Sequence, residues 1–392
     1  MEKIRIGIIG IGNMGSGHAH NITAGKCPEI ELTAVADIAP ARLEWAKAEL
    51  PGVACFATAE EMMDSGLIDA VIVSVPHYDH PRYAMEAMQR GLHVMVEKPA
   101  GVYTKQVREM NEMADRCDVA FAMMFNQRTD HIYRKMKELI DSGELGAIKR
   151  TNWIITDWYR TQAYYDSGAW RATWSGEGGG VLLNQCPHQL DLFQWICGLP
   201  CKVDAHLHFG KWHDIEVEDD VTAYVEYANG ATGCFITTTG DAPGSNRFEI
   251  DCEKGKLVSE GGKLTLWKLG ISEREWCFTA KEGFVAPPCE KIEVETDGKS
   301  EQHVGVLNAF ASHILHGTPL VADGREGIRG LTLSNAMHLS AFLGRPVEIP
   351  FDEELYYNEL MKRVATSRRK AEVQSAVADL SSTYGVPSDK KK

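Results

Sequence analysis

The chain has 392 residues, with 41 Lys and Arg side chains against 55 Asp and Glu, so its formal net charge is −14. Nucleic acids and anionic membranes select basic surfaces, and this balance argues against either as the main partner. The length suits two domains of ordinary size, and a hydrophobic fraction of 44% suits a globular core.

The beginning of the chain has no features of an export signal. Met1 leads within a few residues into an apolar, strand-like segment, with no basic start, long apolar run or small-residue cleavage site. No segment has the length of a membrane-spanning helix. The ten cysteines are spread along the chain. Without an export signal we expect free thiols and a cytoplasmic protein.

The first predicted strand leads into a glycine-rich loop. Residues 4–9 are apolar and partly β-branched, as is typical of a central parallel strand. A G-x-G-x-x-G loop and a helix-like segment follow. In such a loop Gly10 permits the tight turn, Gly12 lets the backbone approach a pyrophosphate, and Gly15 allows close packing of helix and strand. The loop residues predicted to contact a dinucleotide are Gly10, Gly12, Asn13 and Met14. The alternative is a glycine-rich turn with no ligand.

The second predicted strand ends in an acid, Asp37, which lies 22 residues after Gly15. An acid at this distance can accept hydrogen bonds from an adenosine ribose. A carboxylate repels a 2′-phosphate, and the following Ile38 brings no cation, so NAD is favoured over NADP. Arg42 is close enough to oppose this preference. We include Asp37, Ile38 and Arg42 among the predicted cofactor-binding residues.

The alternation of strands and helices continues to about residue 125, which predicts a doubly wound parallel sheet. Ligands of such sheets bind at the carboxyl ends of the strands. Seven residues at or near such ends are predicted to line the cofactor site: Ser74, Pro76, His77, His80, Glu97, Lys98 and Gln127.

The remainder of the chain alternates helix-like and strand-like segments. Helices are predicted over 131–142, 187–196, 302–316, 325–343 and 352–370, and strands over 147–158, 203–209, 221–228, 231–239, 246–252 and 256–267. The tail that ends with residues 388–392 is expected to be loose.

Three motifs together resemble those of the glucose–fructose oxidoreductase, inositol dehydrogenase and rhizopine-catabolism (Gfo/Idh/MocA) family. They are the glycine loop at residues 10–15, Glu97-Lys98-Pro99 at the end of a strand, and Gly178-Gly179-Gly180 leading to His188 and Asp191. The resemblance covers about residues 1–350. It implies an NAD- or NADP-dependent oxidoreductase of sugars or inositols, with a Rossmann domain and a second α+β domain built on an open, mainly antiparallel sheet.

The resemblance also implies a division of the chain and an oligomeric state. We assign residues 1–125 to the NAD-binding domain, 126–350 to substrate binding and oligomerisation, and 351–392 to a C-terminal helix and tail. One face of the second sheet commonly forms subunit contacts in the family, so a homodimer or homotetramer is expected.

An aromatic segment over residues 158–174 is predicted to line the substrate pocket. Aromatic faces stack on the C–H side of a sugar ring, and polar groups bind its hydroxyls. The alternative is ordinary core aromatics. The predicted substrate-binding residues are Arg160, Tyr164, Trp170 and Arg171, together with Lys98, Asn184 and His188.

The resemblance implies that Lys98 and His188 both point at the reacting hydroxyl. We assign His188 as the general base and Lys98 as the cation that stabilises the alkoxide, and the two roles could be exchanged. Many family members carry Asp four residues before this histidine, where this chain has Asn184. Asn184 is predicted to contribute to catalysis by hydrogen bonding without a charge, and Asp191 could supply the missing charge.

A metal site is not expected. Cys197, Cys201, His206, His208 and His213 lie near one another in sequence, without a recognised zinc spacing. The leading hypothesis is an NAD-dependent dehydrogenase acting on a ring secondary hydroxyl of a carbohydrate, with the 3-position of a glucoside as the preferred detail. The alternatives are a glycoside-cleaving enzyme of the same fold that recycles NAD in place, and a non-catalytic NAD-responsive regulator.

Overall fold

The computed structural model describes residues 3–368, so the predicted loose tail lies outside the described residues. Apolar segments at the beginning of the chain form six strands: β1 (Ile4–Ile9), β2 (Ile30–Ala36), β3 (Ala54–Phe56), β4 (Ala70–Val73), β5 (His93–Val96) and β6 (Phe121–Met123). All pairings among them are parallel, in the order β3-β2-β1-β4-β5-β6. The strand order reverses between β1 and β4, and ligands of such sheets bind outside that crevice.

Five helices alternate with these strands: α1 (Asn13–Thr23), α2 (Pro40–Glu49), α3 (Ala59–Met63), α4 (His80–Gln89) and α5 (Thr104–Ala114). The parallel strands are apolar because helices cover the sheet. All four residues of β4, for example, are buried. The prediction of a doubly wound parallel sheet is confirmed.

The second sheet has nine strands: β7 (Ile148–Ile155), β8 (Lys202–Phe209), β9 (Glu218–Glu226), β10 (Thr232–Thr238), β11 (Asn246–Cys252), β12 (Gly255–Glu260), β13 (Lys263–Leu269), β14 (Cys289–Glu293) and β15 (Val347–Glu348). Their order is β14-β13-β12-β11-β7-β10-β9-β8-β15. All of these pairs are antiparallel except β7 with β10, which confirms an open, mainly antiparallel sheet.

One predicted strand, 256–267, is wrong as a single element, because it forms the hairpin of β12 and β13. The two residues between them, Gly261 and Gly262, have φ values of +58° and +75°. Glycine adopts this region without steric cost, so the pair forms the turn.

Within residues 3–368, seven helices accompany the second sheet: α6 (His131–Asp141), α7 (Gln162–Asp166), α8 (Pro187–Cys197), α9 (Glu273–Thr279), α10 (Gln302–His316), α11 (Gly327–Leu343) and α12 (Glu353–Val364). The α11 helix packs against α8 and β8. The helix predicted over 352–370 ends at Val364, and residues 369–370 lie outside the described residues. The described residues contain no helix with the length and apolar character needed to cross a membrane.

The α10 helix returns to the first sheet. Its apolar residues Val306, Leu307 and Phe310 share a buried cluster with Ile6 and Ile8 of β1. The first turn of α10 is thereby brought near Glu97 and Lys98, which directly follow β5. The α10 helix, which belongs to the predicted domain 126–350, thus completes the core of the predicted domain 1–125. The limits of the two domains remain an interpretation.

Candidate active site

The glycine loop between β1 and α1 has space for a pyrophosphate. Gly10 has φ +84°, and a Cβ on it would lie 2.6 Å from the carbonyl oxygen of Ser74. A Cβ on Gly15 would collide with the carbonyl oxygen of Gly10. A Cβ on Gly12, in contrast, would meet nothing within 4 Å. Gly10 and Gly15 are therefore required by packing. Gly12 instead leaves the N-terminus of α1, where Asn13 and Met14 lie, open to an anionic ligand.

Asp37 follows β2 and binds the glycine loop. Its Oδ2 accepts a hydrogen bond of 2.9 Å from the Ile11 amide, and its Oδ1 accepts one of 2.8 Å from the Ala39 amide. Each carboxylate oxygen retains acceptor capacity for a ribose hydroxyl. Ile38, next to it, is 87% exposed.

Arg42 contacts the loop from its other side. The guanidinium donates through Nε to the Ile11 carbonyl at 2.7 Å and through Nη2 to the Ser16 hydroxyl, and it stacks on Trp45. These bonds engage two of its three nitrogens. The cation that opposed the preference for NAD is thus used in holding the loop.

The residues after β4 contact both the end of β5 and the aromatic segment over residues 158–174. Ser74 and Pro76 lie at the end of the strand, and His77 opens the short turn that follows. The His77 ring lies edge-on to Trp170, with centroids 5.9 Å apart. The buried His80 ring contacts the carbonyls of Val75 and Pro99 at 2.8 and 2.7 Å, and so ties the ends of β4 and β5 together.

Glu97 is a buried carboxylate directly after β5. Its Oε1 lies 2.7 Å from His18 Nε2, and its Oε2 accepts the backbone amide of Lys98 at 3.1 Å. Burial alone would raise the pKa of Glu97, but the hydrogen bond from His18 and the nearby charges of His18, His303 and Lys98 outweigh it and lower the pKa to about 2. The pair positions Lys98 at the strand end.

The first turn of α10 closes this side of the crevice. Gln302 Oε1 accepts hydrogen bonds from Asn126 at 2.6 Å and from Gln127 at 3.1 Å. The ring of His303 lies 5.6 Å from that of His18, and burial lowers the pKa of His303 to about 4. Sequence reasoning missed both residues because they lie more than 170 positions from their partners.

Lys98 and His188 come together at the carboxyl end of β5. Lys98 Nζ donates a hydrogen bond of 2.9 Å to the backbone carbonyl of Asn184. Burial lowers the pKa of Lys98, although Glu97 opposes this. His188 lies in the first turn of α8, 2% exposed, and burial together with the charge of Lys98 lowers its pKa well below 6.5. His188 is therefore neutral near pH 7 and can accept a proton.

The Asn184 side chain connects the two halves of the site. Its Nδ2 donates to the carboxylate of Glu177, and its Oδ1 lies 3.4 Å from the Tyr164 hydroxyl. Glu177 is buried and also accepts the Ala172 amide at 2.6 Å. Burial raises the pKa of Glu177. Where many family members are expected to carry Asp at 184, this chain places an amide with a carboxylate behind it.

The four predicted substrate residues of the aromatic segment lie together. Arg171 Nη1 donates to the Tyr164 hydroxyl at 3.0 Å, and its guanidinium lies over the rings of Tyr164 and Trp170. Arg160 lies over the Tyr164 ring as well, at 5.3 Å from the centroid. The Tyr164 hydroxyl links this cluster to Asn184.

Comparison with known proteins identifies the chain. Residues 4–125 match the oxidoreductase family with an NAD-binding Rossmann fold, and residues 133–258 match the GFO/IDH/MocA C-terminal domain. The chain belongs to the GFO/IDH/MocA family. Its N-terminal segment is the NAD-binding Rossmann fold of that family, as the motifs had predicted.

Individual members of the GFO/IDH/MocA family are related to this chain at modest identity. The 1-carboxy-3-chloro-3,4-dihydroxycyclohexa-1,5-diene dehydrogenase of Comamonas testosteroni is 28% identical over 58% of this chain, which spans only 56% of that relative. The D-glucoside 3-dehydrogenase of Escherichia coli is 24% identical over 89% of this chain and 98% of its own. The WlbA dehydrogenase of Chromobacterium violaceum, solved with NADH and UDP-GlcNAcA, has a TM-score of 0.78 at 28% identity and covers 90% of this chain and 97% of its own.

Asp191, which we considered as a source of charge for His188, has another partner in this GFO/IDH/MocA chain. Arg128 binds it through Nε and Nη2 at 2.8 and 2.7 Å, and both side chains are buried. The carboxylate that contacts Asn184 is that of Glu177. Its position inside a glycine-rich run was the one sequence signal that could have identified it.

A second carboxylate that sequence reasoning missed, Glu218, supports the loop before His188. Glu218 accepts the amides of Gly180 and Leu182 at 2.9 and 3.0 Å, and its Oε2 lies 2.9 Å from His338 Nε2. Glu218 and His338 are both fully buried. Together they position the segment of the GFO/IDH/MocA chain that carries Asn184.

Proposed function

We propose that this chain is an NAD-dependent dehydrogenase that transfers a hydride between nicotinamide and a ring secondary hydroxyl carbon of a sugar, glycoside or cyclitol. The 3-position of a glucoside is the preferred site of oxidation. The observation that carries the proposal is the meeting of Lys98, Asn184 and His188 at the carboxyl end of β5, beside the open glycine loop.

The residues present fit the dinucleotide. The loop around Gly12 is open at the N-terminus of α1, which offers amide donors to the phosphates. Asp37 retains acceptor capacity for the ribose. When bound, NAD supplies a nicotinamide that accepts the hydride. Contacts of NAD with Ser74, Pro76, His77 and Gln127 are part of the proposal.

His188 serves as the general base. Its lowered pKa keeps the imidazole neutral near pH 7, so it can take the hydroxyl proton as the hydride leaves the same carbon. The alcohol would become a ketone by giving its hydroxyl proton to His188 and a hydride to the nicotinamide, which would convert NAD to NADH. Lys98 orients the hydroxyl and stabilises the developing alkoxide by a charge-assisted hydrogen bond. The lowered pKa of Lys98 also supports the exchanged assignment, with Lys98 as the base.

Asn184 and Glu177 organise the substrate side of the reaction centre. The amide of Asn184 is held by Glu177, so its oxygen is directed toward Tyr164 and the substrate segment. Arg160, Tyr164, Trp170 and Arg171 then form the wall on which we place the ring.

The named relatives support this choice of reaction. One acts on the 3-position of D-glucosides, one on a dihydroxylated carbocycle, and one binds NADH together with a nucleotide sugar. The substrate or ligand named for each of the three proteins contains a ring with hydroxyl groups. We further propose a cytoplasmic homodimer or homotetramer formed through the outer face of the second sheet, where Ile154 and Tyr224 are 38% and 42% exposed.

The purified protein, mixed with NAD and a panel of sugars, glycosides and inositols, tests the proposal by NADH absorbance. We expect NADH from one class of compound, and its loss in both Lys98→Met and His188→Ala. A protein that retains NAD, forms no NADH and releases reducing sugar from a glycoside would be the NAD-recycling enzyme instead. A protein that binds NAD and changes none of these compounds would refute the dehydrogenase.

A further inference from the structure

Two arginines converge on one aromatic ring at the substrate side of the site. The Cζ atoms of Arg160 and Arg171 lie 5.3 and 4.8 Å from the centroid of Tyr164. Each guanidinium also lies over a tryptophan ring, Arg160 over Trp158 at 5.8 Å and Arg171 over Trp170 at 4.7 Å. The rings fix the planes of both cations, so the positive charge is held in a defined place.

Neither arginine forms a salt bridge with any residue in the range 3–368. Arg128, by comparison, is paired with both Asp191 and Glu326. The hydrogen bonds of Arg160 go from Nη1 to the backbone carbonyls of Trp158 and Tyr159, and that of Arg171 goes from Nη1 to the Tyr164 hydroxyl. A guanidinium has five N–H donors, so each retains an edge that can bind a planar oxyanion.

The carboxylate beside this pair is that of Glu177, which interacts electrostatically with Arg171 without a salt bridge. Glu177 is bound to the Ala172 amide and to Asn184 Nδ2, and in the described part of the chain it forms no salt bridge with either arginine. Burial raises the pKa of Glu177, and the charge of Arg171 opposes this shift. Among residues 3–368 neither guanidinium is therefore held in a salt bridge, and an anionic substituent of the substrate could supply that partner whereas a neutral sugar could not.

The arginine pair is connected to the reaction centre by a short series of hydrogen bonds. Arg171 donates to the Tyr164 hydroxyl at 3.0 Å, and that hydroxyl lies 3.4 Å from Asn184 Oδ1. The backbone carbonyl of Asn184 in turn accepts the Lys98 ammonium at 2.9 Å. One small molecule could therefore place its reacting hydroxyl at Lys98 and a second substituent at the two arginines.

We propose that the substrate carries an anionic substituent, a carboxylate or a phosphate, which is bound by Arg160 and Arg171. This inference rests on the proposed dehydrogenase function and narrows its substrate to acidic sugars or cyclitols. Two planar forks bind carboxylate and phosphate through the same bidentate chemistry. The two sources are therefore separated by experiment.

The test uses the NAD-loaded protein and three probes: methyl β-D-glucoside, methyl β-D-glucuronide and glucose 6-phosphate. Binding is measured by calorimetry, and turnover by NADH absorbance. We expect at least one anionic probe to bind about tenfold or more tightly than the neutral glucoside. Which anion binds more tightly distinguishes carboxylate from phosphate. Arg160→Gln and Arg171→Gln should each remove most of the preference.

The matched control is Arg116→Gln, which removes one positive charge from an exposed site in the turn after α5, where the side chain pairs with Glu112. It should keep the preference for the anion. NADH binding by each variant, measured by fluorescence, shows whether the fold is intact.

Equal binding of the three probes, absent binding of both anions, or a preference that survives both substitutions would overturn the inference. Turnover of the neutral glucoside, without a preference for either anion, would overturn the inference of an anionic substituent and leave the dehydrogenase proposal standing. Binding of an anion through the arginines without NADH would support the inference and count against the dehydrogenase.

Discussion

The ammonium of Lys98 donates a 2.9 Å hydrogen bond to the backbone carbonyl of Asn184, 86 residues away in the chain. This bond joins the end of β5 to the loop before α8, and thereby joins the cofactor side of the site to the substrate side. Because the acceptor is a backbone carbonyl, any residue at 184 could receive the bond. The side chain of Asn184 is free to serve the second contact, with Glu177.

Replacing Lys98 by Met tests its role at the alkoxide. Met keeps the length of the side chain and removes the charge, so we expect kcat/KM to fall by about 10²–10³-fold with NAD binding retained. Steady-state kinetics and NADH fluorescence make the measurement. Lys105→Met, on the exposed face of α5 where the lysine pairs with Glu354, is the matched control and should leave kcat/KM unchanged. An unimpaired Lys98→Met variant would exclude the role.

The pH profile of kcat/KM reports the charge states of His188 and Lys98. Burial lowers the pKa of His188 well below 6.5, so the base form persists in mild acid and the acidic limb should lie below pH 6.5. Burial also lowers the pKa of Lys98 from 10.5, so the alkaline limb should lie below pH 10.5 if the ammonium is required. His188→Ala should lose the acidic limb along with most activity. An acidic limb above pH 6.5 in the wild type would contradict the assignment of His188.

Exchanging the acid and the amide at positions 177 and 184 tests their contact. Asn184→Asp alone would place two carboxylates side by side in a buried site, so we expect a lower melting temperature and lower kcat/KM. The double variant Glu177→Gln with Asn184→Asp restores an amide facing a carboxylate and should recover stability. Denaturant unfolding of the wild type, Asn184→Asp, Glu177→Gln and the double variant gives the coupling free energy between the two positions. We expect it to be about 0.5–3 kcal/mol. Additive effects would show that the contact does not contribute.

Glu97 should stabilise the folded protein in a pH-dependent way. Its pKa is lowered from 4.5 to about 2, so the contribution is present above pH 4.5 and is lost as the pH falls toward 2. The contribution is on the order of 3 kcal/mol. Glu97→Gln should remove it and leave His18 without its anionic partner, which lowers the free energy of unfolding at pH 7 by about 3 kcal/mol.

Urea unfolding of the wild type and Glu97→Gln between pH 7 and pH 3 measures this contribution. The difference between the two proteins should shrink as the pH falls below 4.5. Glu112→Gln, at an exposed position, serves as the control. A difference that stays constant over this range would show that the charge of Glu97 does not stabilise the fold.

Two glycines of the same loop should respond differently to alanine. A methyl group on Gly12 meets no atom within 4 Å, so Gly12→Ala should fold normally and bind NAD about tenfold or more weakly. Gly10→Ala places a Cβ 2.6 Å from the Ser74 carbonyl at φ +84°, so it should destabilise the protein itself. Thermal unfolding and NADH fluorescence separate the two outcomes. Unchanged NADH affinity in Gly12→Ala would contradict the placement of the pyrophosphate.

Local sequence patterns were sufficient to predict the first sheet and the class of ligand that it binds. The strand, the spaced glycines and Asp37 follow one another within 37 residues, so their geometry is set by neighbours in the chain. The prediction of an NAD-binding Rossmann fold from these residues is confirmed. The proposed reactive pair of Lys98 and His188 came from a family resemblance, because their separation of 90 positions carries no local signal.

The partners of these residues were decided by the tertiary structure. The sequence places His18, Glu97 and His303 in three separate segments, and they meet only because α10 packs back onto the first sheet. Asp191 was one possible source of charge for the histidine three positions before it, yet Arg128 binds it. Spacing on a helix shows which face a residue occupies, but the charge it meets there depends on which element packs against that face. The sequence therefore determined which residues we propose for the chemistry, and packing decided which charges surround them.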